Sequence, residues 1–563
     1  VRRSLLLCPI TTFMSRLQRC IMIGVLALVG LATLTITLHN YRAGRALRLY
    51  KAALIAAGET LTIEELTPVA TPEARSAGND LVQAAWRLRT GLLVPNNAPR
   101  AMGFVSAGKA SIGSRQPDIR GPGRGTNSWE DLAEDLKANG PALEQIREAL
   151  KSSQFDMNLN YKMGFNLLLP HLAKLKGVAQ WLSAATLNDL HTQQLDEAGA
   201  DLNALLSLSN ALRDERLIIS QLVRIAITAI AIAPTWEALQ TQGWTDAQLA
   251  GFQQAWEVLE FSRPMEQALA MERAMGIETF DRLRGSGTEF RQMFGANYTG
   301  GTSGSSGSVA PTNLAEMPDF ALEWSKDHLS SLNLFAQETA WRRLWSYDDE
   351  LRYLETLQVM VEVPRRARST GSFVSARSWG TNEYQRVWQR EDYGSVKYLL
   401  SGQVAAALER ASAKAARIEA QRELVVTAIA IERFRLRRGK LPPDLSALVP
   451  EFLSKPPIDP MDGRLARYRA REDGTFLLYS VGEDGKDDGG DPVPIPVPTS
   501  PTSQNYYFGN GRDIVWPMPA TAEDLAEVEA KAAKEAKRIQ ARASSQEFKE
   551  RYSLVPTNKN ARP

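Results

Sequence analysis

Residues with the means to do chemistry gather in one short loop near the C-terminus, Ser480-Val481-Gly482-Glu483-Asp484-Gly485-Lys486-Asp487-Asp488-Gly489-Gly490-Asp491. Aspartates packed into a glycine-bent loop repel one another unless a cation neutralises them, and a hard divalent cation takes about six to eight oxygens. The pattern therefore predicts an oxygen-rich cation loop, with a solvated acidic turn as the competing reading. It is not an EF-hand, because the third position counted from Asp484 is Lys486 rather than an acid or amide.

Other chemistries lack raw material. The four histidines, His39, His171, His191 and His328, are scattered, and both cysteines, Cys8 and Cys20, lie at the N-terminal end. The sequence contains no nucleophile elbow, no phosphate-binding loop and no H-E-x-x-H. Glu272, Glu278 and Asp281 lie near one another on a predicted helix and would carry a hydrolase with a carboxylate site in the helical domain. Surface ion pairing explains the same grouping.

The elements that position the acidic loop are legible around it. Leu408, Ala415, Ile418, Val425, Ile429 and Leu436 line one stripe of a long helix over 401–438, which Gly439, Pro442 and Pro443 stop. Arg433, Arg435, Arg437 and Arg438 suit the negative end of that helix. The segments 465–470 and 475–480 alternate as strands, with Asp473-Gly474 as the turn between them. Asp513-Ile514-Val515-Trp516 reads as a closing strand.

With Gly439-Lys440-Leu441-Pro442, Asp459-Pro460, Ser480-Val481-Gly482-Glu483-Asp484-Gly485 and Asp513-Ile514 followed by Trp516, residues 401–516 resemble the C-terminal domain of the major pseudopilin of type II secretion systems. The resemblance implies a long helix on a small antiparallel sheet and a calcium-binding loop. By match, Asp484 and Asp513 are the leading ligands, with a carbonyl near Ser480 or Val481. Asp487, Asp488 and Asp491 join them by proximity alone. The chain departs from the family in an extra residue before Gly489-Gly490, in Gly511 where an acid is expected, and in a long insertion between the halves of the loop. It also lacks the glutamate at the fifth position of the apolar helix that pilus subunits carry. The expected reading is thus a pseudopilin-like module at the end of a larger anchored protein.

The membrane segment is Ile21 to Leu38, an uncharged apolar run about 27 Å long as a helix, close to the hydrocarbon thickness of a bilayer. A cleaved signal peptide is the alternative, but the run exceeds the usual 7–15 or so residues and no clear cleavage site follows. Val1 at the start leaves Met14 as an alternative beginning. Basic residues flank both ends of the run, so charge does not orient it. A second apolar run, Leu217 to Ala233, carries Arg224 near its middle, and a charge there costs about 2.5–3.5 kcal/mol on insertion. It predicts a buried core helix.

With 563 residues the chain exceeds any single small module, and Lys+Arg 66 against Asp+Glu 64 gives no general pull toward nucleic acid. The expected organisation is mainly α. An N-terminal tail (1–20) and the anchor (21–38) precede juxtamembrane helices and a Gly/Pro-rich linker (39–127). A helical domain (128–400) follows, interrupted by a flexible loop (295–312), then the α+β module (401–516) and a charged tail (517–563) that is helical or disordered. Trp341, Leu344, Trp345 and Leu351 are expected to pack between helices. The function expected from all this is a noncatalytic, membrane-anchored structural or interaction protein, its bulk extracytoplasmic or periplasmic, with protein partners and no nucleic acid. A secretion or pilus-like assembly component and a hydrolase are the alternatives.

Overall fold

The structure is a computed structural model that describes residues 16–91, 93–94, 101–120, 126–298, 335–388, 396–494 and 511–553. Helices make up 69% of it, which settles the mainly helical class. In chain order they are α1 (Arg16–Ala56), α2 (Ile63–Leu66), α3 (Pro72–Arg87), α4 (Trp129–Ala149), α5 (Pro170–His191), α6 (Leu195–Ala211), α7 (Ile218–Leu239), α8 (Asp246–Glu257), α9 (Ser262–Gly285), α10 (Gly287–Tyr298), α11 (Ser346–Thr370), α12 (Phe373–Trp388), α13 (Leu399–Arg438) and α14 (Ala522–Ser553). The chain forms two compact units. The first comprises residues 1–66, 270–359 and 384–407, and the second 67–269, 360–383 and 408–563.

In the first unit, the apolar stretch of α1 is fully exposed, as a segment meant for lipid would be. The hydroxyls of Thr33, Thr35 and Thr37 donate to carbonyls one turn earlier, so its polar side chains are satisfied within the helix. This helix is compatible with a membrane anchor or a signal sequence. The core of the unit is aromatic: Phe280 and Phe290 pack on Trp341, and Phe280 also meets Tyr353. Trp341 is buried, as expected of an interhelical residue. Asp349, also buried, accepts from the Trp341 indole N–H, from the Leu400 and Ser401 amides, and from the Ser401 hydroxyl. It thereby satisfies orphan donors at the start of α13 where the helix dipole favours an anion.

The second unit holds the helical body. Its α4 begins where expected, with Ser128 and Asp131 in a reciprocal capping box. The second apolar run forms α7, and its Arg224 is fully buried, so α7 is a core helix. The guanidinium donates to the carbonyls of Ser209 (2.9 Å) and Glu260 (2.7 Å) and lies over the Phe261 ring. Burial lowers its pKa to about 10.

Within the segment 39–127, read as juxtamembrane helices and a Gly/Pro-rich linker, the described residues after α3 include short strands. β1 (Gly103–Ser106) pairs antiparallel with β2 (Lys109–Ser111), and β3 (Ile119–Arg120) with β4 (Thr126–Asn127). Buried Glu237 of α7 holds this segment, accepting from the amides of Met102 (2.9 Å), Gly113 (2.5 Å) and Ser114 (3.2 Å) and from the Ser114 hydroxyl. Trp129 stacks on His191, whose ring bonds the Ser114 carbonyl.

The predicted hairpin is present as β5 (Arg467–Ala470) and β6 (Phe476–Ser480), with β7 (Ile514–Val515) as the third antiparallel strand. Gly474 adopts the positive φ that the turn requires. A last strand, β8 (Met518–Pro519), pairs parallel with β2. The arginines ending α13 meet acids rather than solvent alone: Arg433 and Arg437 pair with Asp246, Arg438 with Glu451, and Arg435 with Glu432. The low-complexity residues 299–308 lie outside the described residues.

Candidate functional site

The acidic loop leaves the end of β6, and its buried hub is a residue that the sequence offered only as part of an Asp-Pro pair. Asp459 Oδ1 accepts from the Met461 amide (2.9 Å) and the Ser480 hydroxyl (2.7 Å), and its Oδ2 from the Val481 amide (3.0 Å) and Arg467 Nη1 (3.0 Å). Ser480, expected near a cation, therefore turns its side chain to Asp459. Arg467 also pairs with Asp462 and reaches Asp487 at 3.5 Å, so one guanidinium serves three carboxylates. Burial raises the Asp459 carboxyl, and the Met461 amide and Ser480 hydroxyl oppose it.

Glycine lets the loop approach the closing strand. At Gly482, φ is +70° and an added Cβ would stand 2.5 Å from the Arg512 carbonyl oxygen, so this backbone contact admits no side chain. Further along, Asp513 is buried, and its Oδ2 accepts from the amides of Gly490 (2.8 Å) and Asp491 (3.1 Å). Its Oδ1 is buried without a hydrogen-bond partner. Burial pushes this carboxyl up, while backbone amides at Gly490, Asp491 and Asp488 pull it down.

The remaining aspartates face outward in local turns. Asp484 Oδ1 accepts from the Lys486 amide. Asp487 Oδ1 takes the Tyr479 hydroxyl and the Gly489 amide, which hold its carboxyl below the ordinary range. Asp491 takes the Val493 amide and Arg512. Asp488 is exposed. Among the described residues, no three His, Cys, Asp or Glu side chains gather to hold a metal ion. Asp513 thus lies against the backbone of the loop, and much of the loop's negative charge is answered by Arg467 and Arg512. Of the loop's carboxylate oxygens, Asp513 Oδ1 is buried without a partner, while Asp484 is exposed.

Glu483, to which the sequence reading gave no role, pairs with Arg417 of α13 and approaches Arg377 of α12 at 3.8 Å. The loop is thereby tied to helices on both sides. Only the abundance of arginine hinted at this, since the partners lie far away in sequence.

A cavity of about 430 Å³ opens beside α13, lined by Glu419, Arg422, Glu423 and Lys455 among others. Glu419 Oε1 accepts the amides of Phe261 and Ser262 at the start of α9, and Arg422 joins Glu419 to Glu423. Burial raises Glu423, opposed by Arg422 and Lys455. The acids considered for a hydrolase lie elsewhere, with Glu278 and Asp281 exposed on α9 and Asp281 paired with Arg284.

No family model, curated protein or solved structure matches this chain.

Proposed function

We propose that this chain is a membrane-anchored, noncatalytic structural or interaction protein whose pseudopilin-like C-terminal module is stiffened by calcium. The observation that carries the reading is α1, a 41-residue helix whose apolar stretch has no protein packed on it and no unsatisfied threonine hydroxyl. Such a surface is stable in lipid and costly in water. The bulk lies on the extracytoplasmic side and meets other proteins there.

Calcium enters at Asp513 Oδ1, with Asp484 and loop carbonyls as the remaining oxygens. It bridges the loop to the closing strand and stabilises the folded state in proportion to its occupancy. A component of a secretion or pilus-like assembly is the second reading, favoured by the helix with the three-stranded β5–β6–β7 sheet.

Two experiments test the proposal. After alkaline washing of membranes, the full chain stays in the pellet, and deletion of residues 16–38 releases it; release of the intact chain removes the anchor. Protease added to sealed spheroplasts cleaves an extracytoplasmic bulk and spares a cytoplasmic one. Millimolar calcium raises the melting temperature of the detergent-solubilised chain, and Asp484→Ala abolishes the rise. No shift in the unaltered chain removes calcium from the account.

A further inference from the structure

Helix α1 changes character where its apolar run ends. Up to Leu38 its residues are exposed, whereas beyond that point Ala43, Gly44, Leu47 and Leu54 are buried. The rest of the first unit meets the helix at this level. His39 bonds Asp348 at 2.8 Å, the Asn40 side chain donates to the Arg343 carbonyl, and Lys51 pairs with buried Glu350. With about 3.6 residues per turn, the buried positions share one side of α1, and Arg42, Arg45 and Arg48 fall on the opposite side.

These three arginines are exposed, and among the described residues no carboxylate or hydrogen-bond acceptor meets their guanidinium groups. The acids packed along α1 are engaged elsewhere: Asp348 with His39, Glu350 with Lys51 and Arg284, and Glu59 with Arg273. Side chains on a helix lean toward its N-terminus, which here is toward the apolar run. Arg48 shows this, because its Nη1 lies 3.5 Å from where a Cβ on Gly44 would stand, one turn nearer the run. At 1.5 Å per residue, Arg42 starts about 6 Å past Leu38 and Arg45 about 10 Å past it. The headgroup layer is roughly 5–8 Å thick on each side of a bilayer, and charge acts over a screening length of about 8–10 Å. Arg42 and Arg45 therefore reach that layer, and Arg48, folded back along the helix, lies within a screening length of it. Exposed Arg343, tied to Asn40 through its carbonyl, adds a cation at the same level, and exposed Tyr41 supplies an aromatic ring of the kind favoured at membrane interfaces.

We propose that this arginine face binds the anionic headgroups of phospholipids in the leaflet at the His39 end of the apolar run. The inference rests on reading α1 as a membrane anchor and names the lipid chemistry at its exit. A guanidinium fork matches two phosphate oxygens, and headgroup phosphates already lie at the depth the arginines reach. Zwitterionic headgroups carry a cation that cancels the attraction, whereas anionic ones leave it whole.

The test reconstitutes the full chain in phosphatidylcholine vesicles holding a trace of phosphatidylglycerol or phosphatidylcholine spin-labelled on the acyl chain. Electron spin resonance reads the fraction of label restricted by the protein. Phosphatidylglycerol is expected to be restricted about twofold or more over phosphatidylcholine, and about 1 M salt to bring the ratio close to one. The combined variant Arg42→Gln, Arg45→Gln and Arg48→Gln is expected to bring it close to one as well, and glutamine is a good helix former, so α1 stays intact at these exposed positions. A preference that survives in this variant assigns the selectivity to the other end of the run and overturns the proposal. Equal restriction of the two lipids by the unaltered chain overturns it too, while leaving the anchor standing, since lipid is still restricted. No restricted label of either kind removes the anchor and this inference together.

Discussion

Asp459 and Glu215 are both buried carboxylates, yet their surroundings differ. Asp459 receives two backbone amides, a hydroxyl and an arginine, using both oxygens fully, whereas Glu215 holds only His171 and leaves an oxygen bare. The aspartate loop shows the same habit as its hub: Asp487 and Asp491 each take a backbone amide and an arginine. A carboxylate whose donors come from its own fold works as a joint between segments. Asp513 stands between the two, with one oxygen held by backbone amides and the other buried without a partner.

The sharpest way to break this contrast is at the hub. Asp459→Ala leaves the Ser480 hydroxyl and the Met461 and Val481 amides without their buried acceptor, and is expected to cost about 3–5 kcal/mol, read by chemical unfolding of the solubilised chain. A loss under about 1 kcal/mol for the single variant would show that Asp459 is not a joint.

A buried acid with weak compensation tests the reverse. Glu432 has its pKa raised to about 7, by burial first and only partly opposed by Arg435. A carboxyl whose folded pKa lies above its unfolded value stabilises the fold fully below the unfolded value of 4.5, and that contribution is lost as pH rises through about 7. Glu432→Gln is therefore expected to gain roughly 1–3 kcal/mol over the unaltered chain at pH 8 and nothing at pH 4, measured as the difference in unfolding free energy.

Smaller effects sharpen the comparison. Asp513→Asn keeps an acceptor for Gly490 and Asp491 but loses the charge, and should cost about 1 kcal/mol without calcium and more with it, by thermal unfolding in each condition. Asp487→Ala, at an exposed position with a long arginine contact, is expected to change stability by less than about 1 kcal/mol in the same assay.

The parts of this architecture governed by local spacing could be read from the sequence. Asp473-Gly474 marked the hairpin, and Arg224 inside an apolar run separated a core helix from a span. What escaped was governed by distant partners. β1 and β2 are too short to show alternation, and β2 completes its ladder only with residues near the other end of the chain. The aspartates were conspicuous, but Arg467, Arg417 and Arg512, which answer loop residues, have no local pattern that assigns them. Glu215 and His171 form a buried pair across 44 positions, and neither carried a signal in the sequence.

The parallel joint between β2 and β8 has a temporal side. Lys109 and Ala110 face Met518 and Pro519, so a strand made first waits for one made about 400 residues later. Until then, the Gly108 and Ala110 carbonyls lack the amides of Met518 and Ala520 that they accept in the finished molecule. The growing polypeptide must keep that edge from other strands until residue 518 is made, and any product cut short before it keeps the edge open permanently.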